Sequence, residues 1–489
     1  MKKSFTLLVL LFYVSVIVAQ TELSSFTSTG SGYTTATIND YQSLGINPAN
    51  LGWTRNDHKM NLGLFEFGFS LYSEALTKKQ IQNDLYGNPI TLDAQGKKDA
   101  ADAFTDARMF GTATVTWVGF SYQDEKIGGF AISVRDRFIW HSLLNDNGAS
   151  YLFLGYNDPY FDSTAFENGE QVGYSTDPQL ASDIYKGSDN HMLMYREFNL
   201  GYGRKVIKND DFGWYMGVNF KYLMGQAMVR YYQNEDGELT GNSALSPGFK
   251  VDYSGTGIYD GDVDKLEGNG LKTVGTGFGF DIGTTFEIKQ KLKIGLAVND
   301  IGSITWKKNV YEGTDGGVWR TDTPGLNNYN VFEEGQLINT DNGPPPFDTT
   351  FVGIAEKKLG LPMNFRGGVS YTFNEIIEAG LDVYMPLGEK VPGNFEAPVF
   401  GIGVRANPAN WVQLSVSVVT GGKFGTNVPF GITFYPIKNE KNTWEVGIAT
   451  RDMITFFKQT DPTVSIAFGF LRFSFGAKEE STRYLEEDE

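Results

Sequence analysis

The carboxylates of Asp260, Asp262, Asp264 and Glu267, in the run YDGDVDKLEG, supply closely spaced oxygen ligands of the kind a hard cation such as calcium takes. The run departs from a helix-loop-helix calcium loop, because Lys265 stands where the invariant glycine belongs and Leu271 where the bidentate glutamate belongs. The plainer reading is a solvated, self-repelling acidic loop. Gly275, Gly277 and Gly279 have the look of a phosphate-binding fingerprint. They sit inside a strand rather than between a strand and a helix, so they point to a close-packed or bent wall. The three histidines, His58, His141 and His191, lie far apart in sequence near strand ends, which suits surface or interface positions better than ligation. No Ser-His-acid constellation is evident, so no enzyme is expected, and neither is a cofactor.

Export decides where these residues act. Lys2 and Lys3 precede an apolar run from Phe5 to Val18 and then Ala19, the pattern of a cleaved secretory signal over residues 1–19. The chain has no cysteine, which excludes both a lipidated cysteine and disulfide bracing. A formal charge of -17 argues against nucleic acid as a partner, since phosphate binding needs a basic surface.

After the signal no stretch reaches the ~18 consecutive apolar residues of a membrane helix, so a bilayer crossing must use strands closed into a barrel. Period-two alternation supports that reading. Val274, Phe278, Phe280 and Ile282 alternate with glycines and Asp281; Phe365, Val369, Tyr371 and Phe373 alternate with Arg366, Gly368 and Ser370; Leu381, Val383 and Met385 alternate with Gly380 and Asp382. Fourteen such windows are expected, at 59–73, 111–122, 127–140, 191–207, 212–233, 271–288, 291–309, 361–374, 376–387, 396–406, 410–420, 427–437, 443–457 and 463–476. Their connections alternate short and long, as periplasmic turns and outer loops do in bacterial barrels.

One face of these windows carries Arg366, Glu378, Asp382, Arg405, Lys221, Glu197 and Asp281 among glycines and serines, and reads as a wet lumen. The other is nearly free of charge and suits lipid, with Trp214, Tyr215, Tyr222, Tyr231, Tyr232 and Trp444 expected in interfacial girdles. Two windows break phase. Glu66 interrupts Phe65 and Phe67, and the last window slips between Phe470 and Leu471, where a β-bulge is the expected cause.

Residues 20–56 precede the first strand and hold a Gly-rich start, Asp40 and the run Asn47-Pro48-Ala49. This region resembles the N-terminal region of the long-chain fatty-acid transporter (FadL) superfamily, which includes PorV-like proteins of type IX secretion. The resemblance implies a fourteen-strand all-β transmembrane antiparallel barrel with an N-terminal plug in the lumen, of which Asn47, Pro48 and Ala49 are elements. A second copy, Asn407-Pro408-Ala409-Asn410, reads as a plain turn. The expected organisation is a signal peptide (1–19), a plug or hatch (20–56), a barrel (57–476) and an acidic periplasmic tail (477–489).

The function expected from the resemblance is a Gram-negative outer-membrane channel or transporter for a small hydrophobic molecule, its plug held by Arg366, Glu378, Asp382 and Arg405. The alternative is a plugged scaffold that binds a secreted or membrane protein, with stiff Pro344-Pro345-Pro346 in a long outer loop. Expected partners are therefore outer-membrane lipid and either a hydrophobic ligand or a secretion or surface protein.

Overall fold

The computed structural model describes residues 25–477 apart from 54–57, 87–89, 168, 210, 234–236, 238, 252–257, 314, 330–350, 389–390, 394–396 and 424. The expected signal peptide, the tail beyond Ala477 and Pro344-Pro345-Pro346 lie outside the described residues.

Alternating sequence forms fourteen long strands: β1 (His58–Ser73), β2 (Arg108–Asp124), β3 (Gly128–Leu143), β4 (Asp189–Lys208), β5 (Phe212–Gln233), β6 (Gly275–Ile288), β7 (Leu292–Trp306), β8 (Asn364–Thr372), β9 (Ile377–Pro386), β10 (Val399–Ala409), β11 (Val412–Gly421), β12 (Phe430–Lys438), β13 (Asn442–Thr450) and β14 (Thr463–Ala477). Each pairs antiparallel with the next, and β14 returns to β1 from His58↔Ala477 to Tyr72↔Thr463. The ring is closed, so it has no free edge whose N–H and C=O groups need water. Connections at one end are tight, such as 125–127, 209–211, 289–291 and 439–441. Those at the other end are long and fold into helices Lys78–Tyr86, Ala94–Phe104 and Asp146–Leu154 and a three-stranded sheet of 163–167, 170–180 and 317–321.

The outward face is apolar, with Phe130, Ile132, Leu200, Val218, Phe278, Phe280, Ile282, Phe400 and Ile402 among its exposed side chains. An exception is Asp136, which pairs with the outward Arg196 at 2.6 Å and accepts the Trp117 indole N–H at 2.7 Å, so the two charges neutralise each other.

Inside, two storeys differ in chemistry. Toward the long loops, inward side chains pack dry: Leu193, Tyr195, Leu223, Ile304 and fully buried Trp306 on one side, Tyr72, Phe110, Ile139, Tyr384, Val399 and Val419 on the other. Toward the tight turns, residues 25–53 lie within the ring and are almost wholly buried.

Several sequence expectations change in detail. The expected turn at 407–409 belongs to β10, which runs to Ala409 through a register shift, and Pro408 is tolerated there because the irregularity demands no ladder bond from it. The turn is at Asn410 and Trp411. The thirteenth strand stops at Thr450 rather than 457, because the Asp452 carboxylate accepts Ile454 N–H (3.1 Å) and Thr455 N–H (3.0 Å) and starts a 3-10 turn. Tyr215 leaves the girdle: it faces inward, buried, its hydroxyl donating to Glu287 at 3.3 Å. All three histidines are buried rather than at the surface, since each falls on the inward phase of its strand.

Candidate functional site: the lumen and its N-terminal segment

Residues 25–53 fold as short helical turns separated by bends, each turn started by a side chain that takes an otherwise orphaned N–H. Ser25 caps Phe26–Thr29, Asp40 caps Tyr41–Ser43, and Asn47 caps Pro48–Gly52 by accepting Ala49 N–H at 3.1 Å, with Pro48 in the first turn where its missing N–H costs nothing. The repeated Asn-Pro-Ala thus behaves differently in its two places, as a helix cap here and as strand end in β10.

The wall makes room for this segment with glycine. Every strand except β11 turns a glycine toward it, and β11 offers Ser417. A Cβ on Gly119 would stand 2.1 Å from the Tyr41 ring, on Gly283 2.0 Å from Asn47, on Gly380 2.2 Å from Tyr33 and on Gly447 2.1 Å from Phe26. These glycines exist for close approach, at positions where any side chain would displace the segment. In β6, the run Gly275, Gly277 and Gly279 likewise faces Trp306, the β7 backbone and Leu361, which bears out the wall reading over a phosphate loop.

Two carboxylates on opposite sides hold the segment. Asp382 accepts the N–H groups of Thr34 (2.7 Å) and Thr35 (2.9 Å) together with both hydroxyls. Glu66 accepts from Tyr41 Oη (2.6 Å) and from Gln42 Nε2 (2.8 and 3.0 Å). Burial pushes the Tyr33 phenol up to about 12 and the Tyr41 phenol well above its usual value, so both hydroxyls stay protonated donors at neutral pH. Beside Glu66, Arg472 bridges Asp40 and Glu445. Between the carboxylates runs a neutral ladder. The Asn47 amide donates to Thr35 O (3.1 Å) and Thr285 Oγ1 (2.9 Å), Asn50 donates to Ile38 O (2.7 Å), and Thr285 donates back to Asn50 at 2.7 Å.

A denser charge network lies under the dry storey. Lys221 bridges Asp281, at 2.9 Å, and Asp300, while Arg137 stands 3.7 Å from Glu197 and 3.6 Å from Asp300. Asp281 also accepts Gly45 N–H at 3.1 Å, tying this network to the segment.

Of the expected lumen residues, Asp382 touches the segment directly. Glu378 and Arg405 pair at 3.4 Å, with Arg405 over the Tyr33 ring and Glu378 O accepting the Tyr33 hydroxyl. Arg366 faces inward with its guanidinium over the Tyr384 ring. Asp260 pairs with Lys265 at 2.5 Å and Asp264 with Lys308, so lysines neutralise two of the loop carboxylates; Asp262 and Glu267 stay exposed.

Asp300 was not legible as a lumen acid. A bulge between Val298 and Ile301 turns both Asn299 and Asp300 inward, Asp300 at φ 58°, and two adjacent polar residues in an alternating strand were its only signal. Glu66 had a clearer one, since it broke the apolar pattern. There Phe65 adopts φ 53°, so Leu64 and Phe65 both point outward and Glu66 points in. The expected slip at Phe470 and Leu471 is a bulge opposite Glu445–Gly447, and β2 shifts register at Trp117, so irregularities line up across β14, β1 and β2.

A family model described as "Family of unknown function (DUF5723)" matches residues 50–439. No curated protein matches. Among solved structures, the chain is similar to the Pseudomonas putida toluene transporter TodX (11% identity, 94% of this chain and 100% of that one, TM-score 0.46). It is similar also to the Ralstonia pickettii toluene transporter TbuX (11%, 93% and 99%, 0.45) and to a Pseudomonas aeruginosa FadL homologue (11%, 94% and 100%, 0.43).

Proposed function

Since the chain belongs to the DUF5723 family, whose function is unknown, we propose its role from its geometry: an outer-membrane barrel that passes a small hydrophobic molecule, with residues 25–53 as a plug. The observation that carries this reading is the stacking of a dry storey over a hydrogen-bonded one. An apolar molecule arriving from the long-loop end can pack on Leu193, Trp306, Phe110 and Ile139 without breaking a polar bond, because burial of apolar surface is its own driving force. It stops at the plug, which withholds passage until Asp382, Glu66 and the asparagine ladder release their partners or the irregular wall of β14, β1 and β2 parts. A cavity between segment and wall, lined by Ser25, Ser28, Tyr41, Gln42, Ile46, Glu66, Thr114, Thr116 and Arg135, holds about one water, far below ligand size.

Two measurements test it. Deleting residues 25–53 should raise single-channel conductance in planar bilayers, and unchanged conductance would count against the plug. Flux of a fluorescent hydrophobic probe across proteoliposomes should exceed that of protein-free vesicles, and equal flux would sink the transport half.

A second reading rests on the three-stranded sheet at the long-loop end. Its outer strand, 163–167, is exposed throughout, with Phe166 at 79% and Trp319, on the opposite edge strand, at 47% exposure. An open strand edge beside exposed aromatics suits pairing with a protein partner. Co-purification of a stoichiometric partner, lost on Phe166→Glu, would favour that scaffold role over transport.

A further inference from the structure

Two of the chain's histidines meet in the dry storey, where a polar group needs a reason to be. His141 on β3 and His191 on β4 are register partners, both inward and buried, next along their strands to Ile139 and Leu193. Their rings stack at 4.8 Å, and the His191 Nδ1 is 3.5 Å from the Asp189 carboxylate on the same inward face. One potential ligand atom from each of the three residues lies within 4.8 Å of the others, the one such convergence among the described residues. The His191 Nε2 is buried and has no hydrogen-bond partner among the described residues, an unfavourable state if nothing binds it.

We propose that His141, Asp189 and His191 bind one borderline divalent metal ion, zinc being the best chemical match, and so clasp the outer ends of β3 and β4. Two imidazoles and one carboxylate are a donor set that zinc takes with three protein ligands and a fourth position open. A hard cation is a poor fit, because calcium needs six to eight oxygens and magnesium a near-octahedral oxygen shell. Ligands on one tetrahedral zinc stand roughly 3.3 Å apart, given bonds of about 2.0 Å, so modest side-chain rotation completes the site. Arg230, paired with His191 from β5, lays its guanidinium over the Tyr232 ring at 3.8 Å.

The test uses full-length protein in detergent, stripped with chelator and titrated with zinc by calorimetry, with cobalt as a spectroscopic substitute. One zinc per chain is expected, together with visible d–d bands for cobalt. His191→Ala and Asp189→Asn should each weaken binding at least tenfold, while Asp260→Asn/Asp264→Asn should leave it unchanged. Undiminished binding in His191→Ala overturns the site, as does a loss confined to the loop double variant. If His191→Ala fails to insert, the wild-type cobalt spectrum decides, and absence of ligand-field bands overturns the proposal.

Discussion

The two storeys of the lumen are held by opposite kinds of force. In the dry storey, Trp306, Tyr195 and Leu223 pack by shape, through contacts that any apolar neighbour could supply. In the wet storey, Asp382 and Glu66 hold named donors at fixed distances, and a missing partner leaves a buried group unsatisfied. A layer packed by shape tolerates a change of neighbour; a hydrogen-bonded one does so only when a competing set of partners is offered.

Truncation should separate them. Trp306→Ala is expected to have the largest effect, about 3–5 kcal/mol in denaturant unfolding from lipid, and the resulting cavity should bind a probe such as benzene. Failure to bind it would mean the storey collapses rather than hosts. Asp382→Ala should cost about 3 kcal/mol of segment docking, seen as faster hydrogen exchange at Thr34 and Thr35 amides, with no gain in benzene binding. Tyr41→Phe, which leaves Glu66 its Gln42 donors, should cost about 1–2 kcal/mol and raise open-channel frequency less than Asp382→Ala does. At the bottom of the scale, Asp264→Asn removes an exposed pair with Lys308 and should shift unfolding by under ~1 kcal/mol; a larger shift would assign that loop a structural role.

Much of this was readable beforehand because alternation reports faces directly. The fourteen strands follow from a period of two, and the alternation of tight and long connections from the spacing between them. Pairings across the ring did not, since which inward residues meet depends on register between strands far apart in sequence. His141 and His191 read as scattered, yet stand opposite each other once β3 and β4 are aligned. Bulges were legible only where an apolar run broke, as at Phe470 and Leu471, and Asp300 hid because its neighbour Asn299 is polar too. Tyr215 misled for a similar reason: an aromatic with a hydroxyl fits either a lipid boundary or a buried partner, and composition cannot choose.

The ring of wall glycines carries a consequence for how the molecule is made. Phe26 rests against Gly447 of β13 and Gly469 of β14, so the first described residues cannot settle until the last two strands exist. The loop closed by that final approach spans almost the whole polypeptide, which makes the seating of the N-terminus an expected slow step, and any glycine replaced along the wall should stall it before the finished protein is ever reached.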